Sequence, residues 1–519
     1  SYSSTNSTGT YSSSQAPLYS YASNGSPSVK GNLWKSTDLG VTWARVAAAN
    51  GFCGGQCFYD QVVSVDPNDP NHVYVGGVDA SLSNNGGTSF TNYASFNPPA
   101  MTVHSDQHAL AVAPSNSAII YNGNDGGVAR SADSGATWSN KNLFLAGGLF
   151  VGISQAGDGS IVGGLQDNGS RISTGSYTWR GLTGGGGDGG FSRVDSGNSL
   201  KSYHTYVTGG AVAAQLIRRT TNGWADSTAA GVTDITPAAA IGTEGAEFYA
   251  PTWLDAADSA SLIIGLQHVY RSADSGTAWT RIGAVNTPAG AGNYIFAVVQ
   301  APSDAATIWA CAGNNRCYKT TNAASGNSAT WTDMTGTLQT TQAPTAIAIH
   351  PTDASTVYVT YSQYGTLASP LQHIYKTANG GTSWASAGIG LPDVPVNDIV
   401  IDTMAPSNLF AASDVGVYNS LDAGSTWKRS DTGMPMGMIA QSLSLQTGNR
   451  RLAVGTYGRG VYTLTLPAAP PVPTGLAGAV QGTSSITWTW NASAAQYNAQ
   501  AYGVYYATNP AVLRRRWAS

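Results

Sequence analysis

Three aspartates in this chain sit inside glycine-flanked phrases whose residue types suit chemistry. Asp125 lies in Asn122-Gly-Asn-Asp-Gly-Gly127, Asp167 in Gln166-Asp-Asn-Gly169, and Asp188 in Gly184-Gly-Gly-Gly-Asp-Gly-Gly190. Glycine lets a backbone approach a ligand closely. Carboxylates grouped together, one protonated and one ionised, can hydrolyse a glycosidic bond by acid and base catalysis. The plainer alternative is that each Asp caps its own tight turn, as most Asp-Gly pairs do. Calcium also suits carboxylate and carbonyl oxygens, although no EF-hand spacing is present.

A second group is His104-Ser-Asp-Gln-His108. On an extended segment alternate side chains share a face, so His104, Asp106 and His108 are expected to point together. Two imidazoles and a carboxylate suit zinc or another transition metal, given further ligands, and otherwise form a hydrogen-bonded polar cluster. Hydrolysis by carboxylates alone requires no cofactor. The expected substrate-binding set is His104, Asp106, His108, Gln166, Gln267, Tyr457 and Arg459. Exposed aromatics there would stack on sugar rings, the alternative being ordinary packing between repeats. Asp79, His268, Tyr364 and Asp414 map to the same rim, and the only two glutamates, Glu244 and Glu247, are expected close to it.

What positions these residues is a repeat. Ser36-Thr-Asp-Leu-Gly-Val-Thr-Trp43 returns as Ser131-Ala-Asp-Ser-Gly-Ala-Thr-Trp138, Ser272-Ala-Asp-Ser-Gly-Thr-Ala-Trp279 and Ser420-Leu-Asp-Ala-Gly-Ser-Thr-Trp427. Looser copies occupy 83–90 and 377–384, and eroded ones lie near 173–179, 220–224 and 320–331. The Asp or Asn can bond the backbone of a tight turn, the Gly supplies a positive φ, and the Trp can plug the gap to the next unit. Between copies run alternating strands broken by turns, as in Gln61-Val-Val-Ser-Val-Asp-Pro67 followed by His72-Val-Tyr-Val-Gly76. Each unit is thus four short antiparallel strands, A to D, with the phrase as the C–D hairpin, which is the pattern of a propeller blade. The B–C turns and D–A links then share the opposite face, where the three Asp phrases and the His104 segment converge at one mouth.

About ten units precede residue 466, the first lacking a clear strand A and the last a clear strand D. Those incomplete ends could complement one another and close a ring, because open sheet edges invite aggregation. The expected fold is an all-β propeller over 1–466, as one large ring or two. A Pro-rich linker follows at 467–473, and 474–519 resembles the opening strands of a fibronectin type III domain.

The totals agree with that class. In 519 residues only 10% are charged and 63 are glycine, the mark of a turn-rich β protein. The net charge of -4 argues against nucleic acid, and the one basic run, Arg514-Arg515-Arg516, sits in the terminal tail. No apolar run is long enough to span a membrane. The cysteines fall into two close pairs, Cys53/Cys57 and Cys311/Cys317, which read as local disulfides in an oxidising compartment. A Ser/Thr-rich start without a visible signal peptide fits a mature piece of a secreted, multidomain extracellular protein.

The Ser-x-Asp-x-Gly-x-Thr-Trp phrase resembles the Asp-box, or bacterial neuraminidase repeat, across nearly the whole chain up to residue 466. Families that carry it include sialidases, xyloglucanase-type glycoside hydrolases with paired seven-bladed propellers, and ten-bladed sortilin-type receptors. The box is structural in all of them and names no reaction. Sialidases use an arginine triad and a Tyr/Glu pair, which a chain with two glutamates matches poorly. The xyloglucanase-type enzymes use aspartates, and Gly455-Thr-Tyr-Gly-Arg-Gly460 is similar to their closing blade, although their paired rings need more blades than are present. In local phrases the chain looks most like secreted bacterial Asp-box proteins. The resemblance implies a secreted propeller that hydrolyses polysaccharide with Asp125, Asp167 or Asp188 as acid and base. The alternative is a non-catalytic propeller that binds glycan or protein at its mouth.

Overall fold

A computed structural model describes residues 2–5, 32–49, 52–53, 59–94, 103–143, 145–175, 178–182, 187–206, 216–223, 231–238, 240, 244–283 and 293–467. Beyond them it describes the strand backbones of 474–481, 485–491, 502–509 and 512–518. The repeated phrase folds the same way at each clear copy. In the last one Ser420 Oγ donates to Asp422 Oδ1 at 2.8 Å and accepts from Gly424 N at 2.9 Å. Asp422 in turn accepts from Thr426 N and Thr426 Oγ1 at 2.8 and 2.7 Å. One carboxylate therefore closes a turn whose backbone would otherwise be unsatisfied.

The protein is an all-β propeller built from consecutive antiparallel sheets. Ten sheets succeed one another along residues 2–465; the first and tenth have three strands and the eight between have four. The first sheet joins Tyr2–Thr5, Asn32–Lys35 and Ala44–Val46. The third opens with Gln107–Val112, the fourth with Phe150–Gln155, the fifth with Gly189–Asp195 and the sixth with Thr252–Leu254. The tenth comprises Ala440–Gln446, Arg451–Thr456 and Val461–Thr465.

From the fourth sheet to the tenth, each opening strand packs against the opening strand of its neighbour, and Phe150–Gln155 packs back against the tenth. Seven sheets thus form a closed circuit. Polar contacts also cross its seam: Ile153 N donates to Ser442 Oγ at 3.2 Å, Gln155 N to Ser444 Oγ at 3.1 Å, and Arg451 Nε to Gln155 Oε1 at 2.7 Å. The first three sheets form a separate arc, each packed on the next. A single ring closed by complementary ends is therefore not what forms. Tyr2–Thr5 packs on Val62–Val65 of the second sheet, and Val461–Thr465 stays the edge of the tenth. The opening strand of the fourth sheet occupies the place beside the tenth.

The core lies between sheets. Tyr203, Leu216 and Ile217 of the fifth pack on Leu262 and Ile264 of the sixth, and Phe150 and Ile153 of the fourth pack on Ala453 of the tenth. The hairpin tryptophans bridge the same interfaces. Trp279 Nε1 donates to Ile235 O at 2.6 Å, Trp384 Nε1 to Met334 O at 2.8 Å, and Trp427 Nε1 to Ala387 O at 2.7 Å, each carbonyl in the preceding unit. In the arc Trp138 stacks on Tyr93 of the second sheet at 5.2 Å, while Trp43 bonds its own Gly40 carbonyl. Cys311 and Cys317 form a disulfide; Cys53 is disulfide-bonded too, and its expected partner Cys57 lies outside the described residues. Residues 474–481 pair with 485–491, and 502–509 with 512–518, as two hairpins; the fibronectin expectation concerns this segment. No helix among the described residues is long and apolar enough to cross a membrane.

One buried imidazole makes the ring sensitive to acid. His204 is fully buried with Ser192 Oγ 3.0 Å from Nδ1 and Ser202 Oγ 2.8 Å from Nε2. Burial drives its pKa down from 6.5 to about 3. The unfolded chain takes up this proton before the folded one does, so the associated stability is intact above pH 6.5 and is lost as pH falls toward 3. At ~1.4 kcal/mol per pH unit the whole window is worth on the order of 5 kcal/mol. Urea unfolding of wild type should show this loss between pH 6.5 and 4, and His204→Asn should flatten it.

Candidate functional site

The site begins where the fourth and fifth sheets meet glycine on glycine. A Cβ on Gly164 would stand 1.8 Å from the Gly190 carbonyl oxygen, and one on Gly189 would stand 2.3 Å from that of Gly169. Only backbones without side chains can come so close. Gly169 N donates to Gly187 O at 2.6 Å, which ties the B–C turn of the fourth sheet to the entry of the fifth. Asp167 sits at that turn with φ 59°, and its backbone N–H donates to Asp188 Oδ1 at 3.1 Å.

The third sheet supplies the other side. A Cβ on Gly126 would lie 2.5 Å from His104 Cβ, so the turn is bare where the His104 side chain crosses it. His104 Nε2 is 3.1 Å from the Asp167 carbonyl oxygen, and Nδ1 is 3.1 Å from that of Ser105. Asn168 Nδ2 donates to the Asp125 carbonyl at 2.8 Å. These contacts bind the arc to the ring and set the Asp167 carboxyl near enough to Asp125 and Asp188 for both to act on its protonation.

Carboxyls gathered this closely resist ionising together. Asp167, in the middle, is pushed up to about 8, first by burial, then by the charges of Asp188 and Asp125. It therefore carries a proton at neutral pH. The outer members have their own partners: His108 Nε2 lies 2.6 Å from Asp125 Oδ1, and Tyr249 OH donates to Asp188 Oδ1 at 3.1 Å. The result is a row of interacting groups, His108, Asp125, Asp167, Asp188 and Tyr249, drawn from the third, fourth, fifth and sixth sheets. Tyr59 meets His108 edge-on at 4.9 Å, and Tyr457 OH donates to Gln166 Oε1. The phenols of Tyr59 and Tyr457 are both pushed up by burial and by the surrounding aspartates. Tyr59 is 56% exposed and Tyr457 36%, and no heavy atom lies within 4 Å of where a Cβ would stand on Gly187 or Gly458. The carboxyls thus face an open mouth with aromatic sides.

Some of the other expected residues lie on the rim as the repeat predicts, and some do not. His104, Asp106 and His108 do not share an extended face, because Asp106 adopts φ 62° and the strand starts only at Gln107, with a bulge before Ala109. His104 faces backbone carbonyls with both ring nitrogens, while His108 is paired with Asp125. Among the described residues no group of three or more His, Cys, Asp or Glu side chains is arranged to hold a metal ion. Asp106 contributes its backbone, its N–H donating to Val78 O and its carbonyl accepting from Asp125 N at 3.3 Å. Gln267 and Arg459 lie on B–C turns of the sixth and tenth sheets, where their backbone N–H groups donate to Gly245 O and Thr456 Oγ1. Glu244 is buried rather than on the rim, bonded by His268 Nδ1 at 2.9 Å and Tyr270 OH at 2.5 Å. Tyr364 pairs with Asp414 between the eighth and ninth sheets.

Two residues escaped the sequence reading, Tyr59 and Tyr249. Both lie in D–A links, just before the opening strands of the second and sixth sheets. An aromatic residue in a D–A link was the available signal. A separate groove of about 350 Å³, lined by Lys376, Asn379, Trp384 and Gly424, lies among the C–D hairpins on the opposite face and contains no carboxylate.

No protein-family profile matches the chain, and no curated protein is similar to it in sequence. Solved structures do resemble it. The GH74 enzyme of Niastella koreensis is 15% identical with a TM-score of 0.32, over 85% of this chain and 87% of that one. YCF48 from Cyanidioschyzon merolae is 13% identical with a TM-score of 0.43, over 62% of this chain and 96% of that one. The GH74 xyloglucanase from Xanthomonas campestris is 15% identical with a TM-score of 0.27, over 89% and 83%. These likenesses concern sheet architecture and carry no argument about chemistry.

The glycine contact makes a direct prediction. Gly164→Ala drives a methyl group into the Gly190 carbonyl, so the two sheets must part at a cost of about 3 kcal/mol. Thermal unfolding should record that loss, and the alkaline titration of Asp167 should move down as its neighbours draw away.

Proposed function

We propose that this protein is a secreted glycoside hydrolase that cleaves polysaccharide at the junction of arc and ring. The observation that carries this is the placement of Asp167 between two further carboxyls at an open, tyrosine-flanked mouth, where burial and their charges favour its protonated form. Glycosidic cleavage needs one carboxylic acid to protonate the leaving oxygen and one carboxylate to act at the anomeric carbon. Asp167 is the acid: its proton passes to the glycosidic oxygen as the C–O bond breaks. Asp125 or Asp188 is the carboxylate, either attacking the anomeric carbon or taking a proton from an attacking water. Water-using pairs stand roughly 6.5–9.5 Å apart, wider than a hydrogen-bonded contact, so an entering sugar has to part Asp167 from its neighbour. Tyr59 and Tyr457 supply ring faces for pyranoses, and Gln166 supplies an amide for their hydroxyls. The Cys311–Cys317 disulfide supports an extracellular location.

Reducing-end release from a panel of plant and microbial polysaccharides tests the proposal. Wild type should cleave at least one glycan, and Asp167→Asn should lower kcat by roughly 10²–10⁴-fold without loss of thermal stability. The rate should also fall above about pH 8, where Asp167 loses its proton. A chain that binds a glycan without releasing reducing ends from any member of the panel is instead a binding propeller.

A further inference from the structure

We propose that Tyr249 is a positioning residue that selects Asp188, rather than Asp125, as the working carboxylate opposite Asp167. This rests on the hydrolytic reading of the same site and adds a division of labour to it.

The two outer carboxyls are held by partners of different kinds. Asp125 Oδ1 lies 2.6 Å from His108 Nε2, an imidazole that carries a positive charge whenever it is protonated. That short bond couples Asp125 to a side chain that itself exchanges protons, so a proton arriving at Asp125 is shared with a partner. His108 is also partly open to solvent, with Tyr59 against its edge. Among the described residues Asp188 accepts from two neutral donors, the Tyr249 hydroxyl and the Asp167 backbone N–H, both on Oδ1 at 3.1 Å. Both donors use the same oxygen. They orient the carboxylate as an acceptor without neutralising it, and the open space beside Gly187 adjoins it.

Tyr249 reaches Asp188 from another sheet. It stands three residues ahead of Thr252–Leu254 in the sixth sheet, and Phe248 packs edge-on against it at 4.8 Å. Its phenol is pushed up by burial first and then by Asp188, so it stays a donor throughout the working range. The titratable groups around Asp188 are Asp167 from the fourth sheet, Asp125 from the third, Tyr249 from the sixth and Tyr457 from the tenth. Among them Tyr249 is the one that donates a side-chain hydrogen bond to Asp188.

The test reads protonation directly and needs no substrate. In protein labelled at the aspartate carboxyl carbons, Tyr249→Phe should raise the lower-pH titration step of the carboxyl trio by about one pH unit. Replacing Tyr249 with 3-fluorotyrosine, a stronger donor, should move that step the other way. His108→Gln should move the step of Asp125 and leave that of Asp188 in place. If the polysaccharide panel yields a substrate, Tyr249→Phe should shift the acid limb of kcat/KM by the same amount, whereas His108→Gln should not. An unmoved Asp188 step in well-folded Tyr249→Phe protein overturns the inference, as does an acid limb that follows His108. Failure to cleave any glycan would remove the hydrolytic reading, while the carboxyl titration would still decide what Tyr249 does.

Discussion

The arrangement depends on a contact between two backbones that have no side chains. Where Gly164 and Gly169 of the fourth sheet face Gly189 and Gly190 of the fifth, the strands come nearer than any Cβ would allow. That closeness places the Asp167 N–H against the Asp188 carboxylate and leaves both side chains at the rim. A methyl group at either position would hold the sheets apart and separate the charges. The glycines around Asp188 are thus required by packing as well as by turn geometry, and the clustering of carboxyls follows from the packing.

The rest of the ring makes that contact rigid. Each interface carries its own apolar cluster, and the hairpin tryptophans tie one unit to the carbonyl of the unit before it. Because these ties lie on the C–D side, the B–C side is free to carry polar loops without cost to the core. Stability and chemistry are divided between the two faces of one repeat.

Much of this was legible in the sequence. The four-strand unit, the hairpin role of the Ser-x-Asp-x-Gly-x-Thr-Trp phrase and the common rim of Asp125, Asp167 and Asp188 follow from periodicity and turn chemistry, which are local. The seam was not legible, because which sheet closes on which is decided by competition between distant strands of similar pattern. The His104 segment misled for a local reason: alternation holds only for extended backbone, and the left-handed turn at Asp106 breaks it. Tyr249 could not be chosen among 26 tyrosines, since its value lies in reaching across one sheet to another.

The junction also sets opposing demands on pH. Asp167 keeps a proton in the folded state at pH values where an unfolded aspartate, with its pKa near 3.8, has lost it. The folded pKa is raised, so this group disfavours folding increasingly as pH rises from about 4 to about 8. His204 acts in the opposite sense on the acid side, where its buried neutral ring resists the proton that the unfolded chain accepts. The first burden falls where arc meets ring, the second inside the fifth sheet. Above about pH 8, Asp167 joins two neighbouring aspartates as a third negative charge, held across the junction by Asn168, His104 and the carbonyls they reach. Repulsion there acts directly on the arc–ring contact, while the ring's apolar interfaces and tryptophan ties carry no such charge. Alkali should therefore loosen the junction before it unfolds the circuit, because the conditions that remove the Asp167 proton also weaken the arc–ring contact.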